Sequence, residues 1–336
     1  MGTNAVRRNA LTSRRRDLDE DDVRVRPTRQ GSRPRTRTRP AHEQAADGFV
    51  VAVDRGRYTC RVDGATVTAM RARELGRKSV AVGDRVSLVG DTSGAPNALA
   101  RIVRIADRTS VLRRTADDTD PYERVIVANA EQLVIVTALA DPPPRTGLID
   151  RCLVAAYVGG LEPLLCLTKA DLADPAELTV LYSDLGLRTV SVRRDEPFDV
   201  LREELRGRMS VLVGHSGVGK STLVNALIPD ADRATGRVSD IGKGRHTSSS
   251  AVMLALDENS WIVDTPGIRS FGLAHVGPSD VLATFPDLVD GALGCPPNCE
   301  HRSATDGCAL DAWVTAGNAE PGRLASFRRL LAARPT

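Results

Sequence analysis

The sequence has no apolar stretch long enough to cross a membrane. A spanning helix needs about 20 apolar residues in a row, and no run of even about 18 occurs in the chain. A secretory signal is also missing, because the Arg-rich start is not followed by an apolar segment. The acids between Asp17 and Asp22 argue against an organellar transit peptide. We therefore expect a cytoplasmic protein that is neither secreted nor bound to a membrane.

Cysteines are few, and their spacing does not suggest a disulfide framework. Three of the six are scattered along the chain, at Cys60, Cys152 and Cys166. The other three fall close together near the end, with His301 among them: Cys295, Cys299 and Cys308. Such bunching of Cys and His indicates a metal site.

Positive charge is concentrated at the start of the chain. The whole chain has a net charge of +3, but residues 1–40 hold twelve Arg and five acids, which leaves +7 there and about −4 elsewhere. With so few apolar residues this arm cannot offset its ordering entropy, so we expect residues 1–44 to be disordered. It is either a solvated tail or a contact to RNA phosphates.

Residues 45–110 have the pattern of a small β-barrel. Short alternating strands are predicted over 48–53, 58–62, 65–70, 84–89 and 100–105, with a turn signal at Asp63-Gly64. Five short strands suit a closed barrel of the OB type. Its only aromatics, Phe49 and Tyr58, are too few for a base-stacking platform, so recognition of RNA backbone and shape is favoured. The alternative is a barrel that merely packs on its neighbour.

Residues 111–274 have the pattern of an α/β domain. Buried strands are predicted over 125–127, 133–136, 164–167, 189–192, 211–213, 252–256 and 261–263, with a crossover helix over 148–157, which is typical of a parallel sheet. A separate tail, residues 275–336, begins with a helix near Pro278 and has further helices over 310–314 and 324–331. In this tail Arg323, Arg328 and Arg329 could contact RNA or face solvent.

A phosphate-binding loop is the strongest signal in the chain. It follows a predicted strand and opens a predicted helix, as the pattern requires. Glycines let backbone N–H groups approach phosphate oxygens, Lys220 supplies a cation for the β and γ phosphates, and Ser221 offers a hydroxyl to Mg²⁺. The residues expected to contact nucleotide here are Gly214, His215, Ser216, Gly217, Val218, Gly219, Lys220, Ser221 and Thr222.

Two segments beyond the loop resemble nucleotide-sensing switches. At the end of the 261–263 strand, Asp264 can hold the Mg²⁺ shell, and the Gly267 N–H can sense a γ phosphate. The long polar segment before them carries Thr247, a candidate second hydroxyl on Mg²⁺; the alternative is a flexible linker in which Thr247 starts the next strand. Ile268 stands where Ras-like GTPases place the Gln that orients water, and an apolar side chain cannot do so. The candidate water-positioning group is therefore His246, which is adjacent to Thr247 in the sequence. The alternatives for His246 are a solvated loop residue and an RNA contact.

A base-reading element, Thr168-Lys169-Ala170-Asp171, follows the 164–167 strand. The Asp171 carboxylate can accept hydrogen bonds from both N1–H and the exocyclic amine of guanine, and adenine has no such donor pair. Asp171 is therefore predicted to select GTP over ATP. Ser191-Val192 is a fainter second candidate for contact with the base.

The order of these motifs is unusual, because the base-reading element precedes the phosphate loop. With a barrel in front and a Cys/His cluster behind, residues 45–334 resemble the RsgA (YjeQ) family of circularly permuted GTPases that depend on the small ribosomal subunit. The resemblance implies GTP hydrolysis stimulated by that subunit, GTP and GDP as ligands, rRNA as partner and a role in late subunit maturation; we expect a monomer. Thr168 stands where the family usually has Asn, which leaves one guanine-side contact open and Asp171 in place.

The metal ligands predicted near the end of the chain are Cys295, Cys299, His301 and Cys308. Three thiolates and one imidazole make a closed tetrahedral zinc site with no open position, so a structural role is expected for one Zn²⁺ per chain. The spacing differs from the family pattern by one residue in two of the gaps. Free buried cysteines are the alternative.

Two other functions fit parts of the sequence. The first is an ATP-using phosphate-loop enzyme such as a kinase, which equal competition by ATP would favour. The second is an RNA-binding assembly module that holds nucleotide only as a structural cofactor, which turnover at background with small subunits present would favour. The predicted fold is an OB-type barrel, a permuted α/β phosphate-loop domain and a zinc-binding helical tail.

Overall fold

The computed structural model describes residues 42–54, 56–75, 80–115, 117–118, 122–229, 251–265, 271–304 and 307–334. From His42 to Thr336 the chain forms one compact unit. Nearly all of the predicted basic arm lies outside the described residues. The boundaries of the four predicted domains remain predictions. No helix in the described ranges combines the length and apolar character needed to span a bilayer.

A closed five-stranded barrel begins the described chain. Its strands are β1 (Ala46–Asp54), β2 (Arg57–Val62), β3 (Ala65–Arg71), β4 (Arg85–Gly90) and β5 (Ala100–Ile105). They run in the order β1-β2-β3-β5-β4, and β4 pairs back onto β1. The predicted turn at Asp63-Gly64 joins β2 to β3 with both residues at positive φ, as a two-residue type I′ hairpin requires. The predicted OB-type barrel is confirmed.

A six-stranded sheet forms the centre of the molecule. Its strands are β8 (Gln132–Ala138), β9 (Glu162–Thr168), β10 (Arg188–Ser191), β11 (Met209–Gly214), β12 (Val252–Ala255) and β13 (Trp261–Asp264). The order is β10-β9-β8-β11-β13-β12, and all neighbours are parallel except β12 and β13. The strands that precede the phosphate loop therefore lie on one side of β11, and those that follow it lie on the other. At its far edge β12 pairs with β1, so that the sheet continues into the barrel.

One predicted apolar strand lies in a different sheet from the one expected. The 125–127 run is the middle of β7 (Arg124–Ala128), which pairs antiparallel with β6 (Val111–Arg114) in a separate two-stranded sheet. The prediction that it joins the parallel sheet is wrong, because a short apolar run does not reveal which strand it pairs with. The 252–256 run, which forms β12, was expected to be parallel to its neighbours, but β12 is antiparallel to β13. An apolar run does not reveal the direction of the strand it pairs with either.

Helices cover both faces of the central sheet. They are α1 (Thr146–Gly159), α2 (Ala176–Tyr182), α3 (Asp199–Leu205) and α4 (Lys220–Leu227). Because side chains alternate along a strand, Leu133 and Ile135 of β8 pack in the core on the α1 side, whereas Val134 and Val136 pack in the core with α3 and α4. Two separate hydrophobic cores result.

The described part of the tail contains four helices, α5 (Pro278–Leu282), α6 (Pro286–Ala292), α7 (Ala309–Thr315) and α8 (Pro321–Ala332). Three of them begin with Pro, whose fixed φ suits the first turn. Phe285 and Phe327 meet edge to face with ring centroids 5.3 Å apart. Both rings belong to the core that α1 shares with the central sheet, so the tail is packed into the nucleotide domain.

Candidate functional site

The phosphate loop lies between β11 and α4, at the carboxyl end of the central strand. Gly217 and Gly219 have φ values of 85° and 93°, a left-handed conformation in which glycine is strongly favoured. At Gly214 a Cβ atom would lie 2.5 Å from the Val136 carbonyl oxygen, so only glycine lets β11 and β8 approach so closely. Val218 is buried in the core beneath the loop and anchors it. Ser221 and Thr222 are exposed at the start of α4, where helix N–H groups favour an anion.

Lys220 connects the phosphate loop to the end of β13. Its Nζ donates a hydrogen bond to Asp264 Oδ1 at 2.7 Å and another to the Thr265 carbonyl oxygen at 2.6 Å. The β11–β13 register places Leu212 opposite Asp264, and the Thr265 hydroxyl donates to the Leu212 carbonyl at 2.7 Å. The ammonium and the carboxylate are thus held together where phosphates and Mg²⁺ would bind. The sequence indicated no role for Thr265, because its hydroxyl partner is on another strand.

The base-reading element lies beside the phosphate loop. Thr168 is 5% exposed, and its hydroxyl donates to the Val218 carbonyl oxygen at 2.6 Å. The side chain of Thr168 therefore contacts the phosphate loop itself. Lys169 has a positive φ of 58°, and its ammonium donates to the Asp141 carbonyl oxygen in the loop after β8. No motif in the sequence pointed to Asp141.

Asp171 is exposed three residues beyond Thr168, so its carboxylate is available to a ligand. The Ala170 N–H donates to the Val192 carbonyl at 3.3 Å, which places the end of β10 next to the base-reading element. The structure thus brings together the phosphate loop, Asp264, the base-reading element and Ser191-Val192. The predicted residues His246, Thr247 and Gly267 lie outside the described residues.

A second site is formed by the four predicted metal ligands. The ligand atoms of Cys295, Cys299, His301 and Cys308 all lie within 4.8 Å of one another. His301 Nδ1 is 3.5 Å from Cys295 Sγ and 3.6 Å from Cys308 Sγ, and the two sulfurs are 3.9 Å apart. A tetrahedral zinc with bonds of about 2.3 Å to sulfur and 2.0 Å to nitrogen would set these separations at about 3.5 Å and 3.8 Å. The donor set and its spacing both fit zinc.

The surroundings of the cluster suit a cation. Burial, and then the charge of Arg328, lowers the pKa of His301, which keeps the ring neutral as a ligand requires. Burial raises the pKa of the Cys308 thiol to about 11, so a cation is needed to hold this thiol as thiolate. The Ala309 N–H lies 3.2 Å from Cys295 Sγ and donates to it.

The three tail arginines left open by the sequence are paired within the chain. Arg323 bonds to both carboxylate oxygens of Asp287, Arg328 to both of Asp311, and Arg329 to Asp150 of α1. Arg328 also donates to the His301 carbonyl oxygen at 3.2 Å and so ties the Cys/His cluster to α8. Each guanidinium is therefore engaged in packing the tail, and an RNA contact of these three arginines stays a prediction.

Comparisons with known proteins agree with this geometry. The family model described as RsgA GTPase matches residues 105–274. A protein of Gemmatimonas aurantiaca named "Small ribosomal subunit biogenesis GTPase RsgA" is 37% identical over 262 residues, which cover 76% of this chain and 84% of the relative.

Two solved structures are similar over most of the chain. The crystal structure of YjeQ from Thermotoga maritima superposes with a TM-score of 0.63 at 26% identity and covers 85% of this chain and 97% of that one. YloQ, described as a circularly permuted GTPase, has a TM-score of 0.60 at 20% identity and covers 87% of this chain and 96% of that one; it supports the fold.

Proposed function

The chain belongs to the RsgA GTPase family and is a GTP hydrolase, and from that premise we propose that it is stimulated by the small ribosomal subunit and acts in late maturation of that subunit. One observation carries the proposal. Lys220 of the phosphate loop is bonded to Asp264, and the same loop is bonded to the base-reading element through Thr168. The residues proposed for phosphate binding, Mg²⁺ binding and base selection therefore lie close together, which supports the proposal.

The nucleotide-binding roles follow from this arrangement. N–H groups of the glycine loop and of the start of α4 would donate to the phosphates, and Lys220 would release Asp264 to reach the β and γ oxygens. Mg²⁺, bound with the nucleotide, neutralises charge on those oxygens. Ser221, Asp264 and the predicted Thr247 are the residues that would hold it. Asp171 would accept hydrogen bonds from guanine.

The zinc cluster and the barrel are proposed to serve binding of the subunit. The four ligands would hold one structural Zn²⁺ with no open position, so that the metal stabilises the tail without taking part in hydrolysis. The barrel and the tail would present the nucleotide domain to rRNA. We place the protein in the cytoplasm and expect it to act as a monomer.

The proposed function is tested by measuring GTP hydrolysis with and without purified small ribosomal subunits. In other GTPases a supplied catalytic group accelerates hydrolysis by about 10³ to 10⁵, and we expect a clear stimulation of this kind. The variant Lys220→Ala, which lacks the loop cation, should show no stimulated turnover. Turnover that stays at background with wild-type protein and subunits would refute the proposal.

Base selection is tested separately with Asp171→Asn. The new amide can pair with the C2 oxygen of xanthine but loses its match to the guanine amine. Affinity should therefore move from GTP towards XTP, as measured by competition against labelled GTP, with ATP as a control that competes poorly in both proteins. An unchanged preference for guanine would show that Asp171 does not read the base.

A further inference from the structure

A cleft of about 800 Å³ separates the barrel from the outer strands of the central sheet. It lies next to the junction of β1 and β12. In the described chain these two strands pair only at Ala52 and Val252. One wall is formed by β2, β3 and the loop over 94–98, and the other by β12 and the start of β13. The cleft is distinct from the phosphate loop, whose residues do not line it.

The barrel wall of the cleft is polar because of the alternation of its strands. Tyr58 and Cys60 of β2 point into the barrel core, so Arg57 and Arg61 are on its outer face. In the β2–β3 register Arg61 lies opposite Thr66, and its guanidinium donates to the Thr66 hydroxyl at 3.3 Å. The cleft therefore has a row of cations and hydroxyls along one side.

The charge of the cleft is of one sign. Its lining residues include Arg57 and Arg61, and none of the described lining residues is acidic. Arg57 is exposed and makes no ion pair or side-chain hydrogen bond within the described part of the chain. An unpaired cation beside a second one on a concave wall favours an anionic ligand such as a phosphodiester.

The opposite wall supplies an aromatic ring. Trp261, the first residue of β13, lines the cleft and is only partly buried. Its ring meets Phe49 of β1 edge to face at a centroid separation of 5.2 Å, which holds the indole at the boundary with the barrel. Met253 and Leu254 of β12 add apolar surface beside it. Indole rings stack on every nucleobase, because each base has a π face.

We propose that this cleft binds a single-stranded segment of RNA, with one base against Trp261 and the flanking phosphates at Arg57 and Arg61. The inference rests on the proposed function, in which the small ribosomal subunit supplies the RNA. Cations, hydroxyl groups and one aromatic surface together match the chemistry of a nucleotide. The barrel alone has too few aromatics for this, and the neighbouring domain provides the missing ring.

The binding of RNA is tested by tryptophan fluorescence. The chain contains two Trp residues, so Trp313→Phe leaves Trp261 as the sole reporter. Titration of this full-length variant with octauridylate should quench its fluorescence. Adding Arg57→Glu and Arg61→Glu should abolish the quench and leave GDP affinity unchanged. The matched control is Arg73→Glu, which reverses an exposed barrel cation outside the cleft.

Binding to purified small subunits gives a second readout that does not depend on hydrolysis. The double variant should bind the subunit more weakly. The slope of log affinity against log salt should also become shallower by about 1.4, since each of the two lost phosphate contacts on a single strand contributes about 0.7. The inference is overturned if octauridylate leaves Trp261 fluorescence unchanged. If the double variant nevertheless loses affinity for the subunit, the cleft contacts a ribosomal protein and not RNA. The inference is also overturned if octauridylate quenches Trp261 fluorescence in the double variant as strongly as in the Arg73→Glu control. A lack of stimulated turnover in wild-type protein would instead count against the proposed function alone.

Discussion

Thr168 links two parts of the nucleotide site through one hydroxyl group. It stands where the family usually has Asn, yet its buried hydroxyl donates to the Val218 carbonyl at 2.6 Å. The hydroxyl is the group that joins the base-reading element to the phosphate loop. This bond is one to the protein itself and is separate from the guanine-side contact that the sequence leaves open.

Removing that hydroxyl should weaken nucleotide binding. Thr168→Val keeps the shape of the side chain but leaves the Val218 carbonyl without this donor, at a cost of about 1–3 kcal/mol. We expect GDP affinity, measured by fluorescence titration, to fall by roughly tenfold, which corresponds to about 1.4 kcal/mol. Thr168→Ser retains the donor and should bind nearly as the wild type does. Equal affinities for the Val and Ser variants would contradict this assignment.

The residue that positions water is predicted from the sequence alone, since His246 lies outside the described residues. Ile268 cannot orient a nucleophile, whereas an imidazole can hydrogen-bond to water. His246→Ala should keep GTP affinity and subunit binding but lose subunit-stimulated turnover, measured as phosphate release. His42→Ala, in the segment before the barrel, serves as the control. Stimulated turnover near the wild-type rate in His246→Ala would assign the role to the ribosome.

Among the elements, α7 and α8 both contact the Cys/His cluster. Cys308 immediately precedes α7, whose first N–H donates to Cys295 Sγ, and Arg328 of α8 bonds to the His301 carbonyl. The Arg328 guanidinium also holds the pKa of Asp311 below its usual value by a hydrogen bond. The cluster and the last two helices therefore form one structural element.

We expect one tightly held zinc per chain. Elemental analysis of protein purified without chelator should find the metal, and changing Cys295 and Cys308 together to Ser should remove it, because two of four ligands are lost. Cys60→Ala changes a buried cysteine of the barrel and should leave the zinc in place. Retention of zinc by the double Ser variant would exclude this cluster as the metal site.

At the scale of the whole molecule, the tail and the central sheet share one core while the barrel has its own. Phe327 and Leu330 of α8 belong to the same buried cluster as Leu133 and Val211 of the sheet. The barrel interior, with Cys60 and Ile102, is a separate cluster. Loss of tail packing should thus be felt by the nucleotide domain more than by the barrel.

Phe327→Ala tests this coupling. Phe327 is fully buried, and such a truncation costs about 3–5 kcal/mol. Hydrogen exchange should accelerate at amides of β8 and β11 as well as in the tail, with little change inside the barrel. Leu293→Ala, at a residue 82% exposed in the same tail, is the matched control and should leave exchange unaltered. Acceleration confined to the tail would show that the two parts unfold independently.

The sequence by itself determined the parts of this protein whose signal is local. A phosphate loop needs glycines and a lysine at set spacings, a metal cluster needs its four ligands, and a small barrel needs short alternating strands and tight turns. Each of these is written in consecutive or closely spaced residues. The order of the motifs along the chain then identified a permuted GTPase.

Only the tertiary structure decided which distant residues meet. The partner of the Thr168 hydroxyl is 50 positions away, Arg329 pairs with Asp150 across 179 positions, and Trp261 reaches the barrel through Phe49. Strand periodicity states which face of a strand is buried but not which strand lies beside it. For this reason the sequence does not predict that β7 pairs outside the central sheet, or that Trp261 of the nucleotide domain lines a cleft beside the barrel.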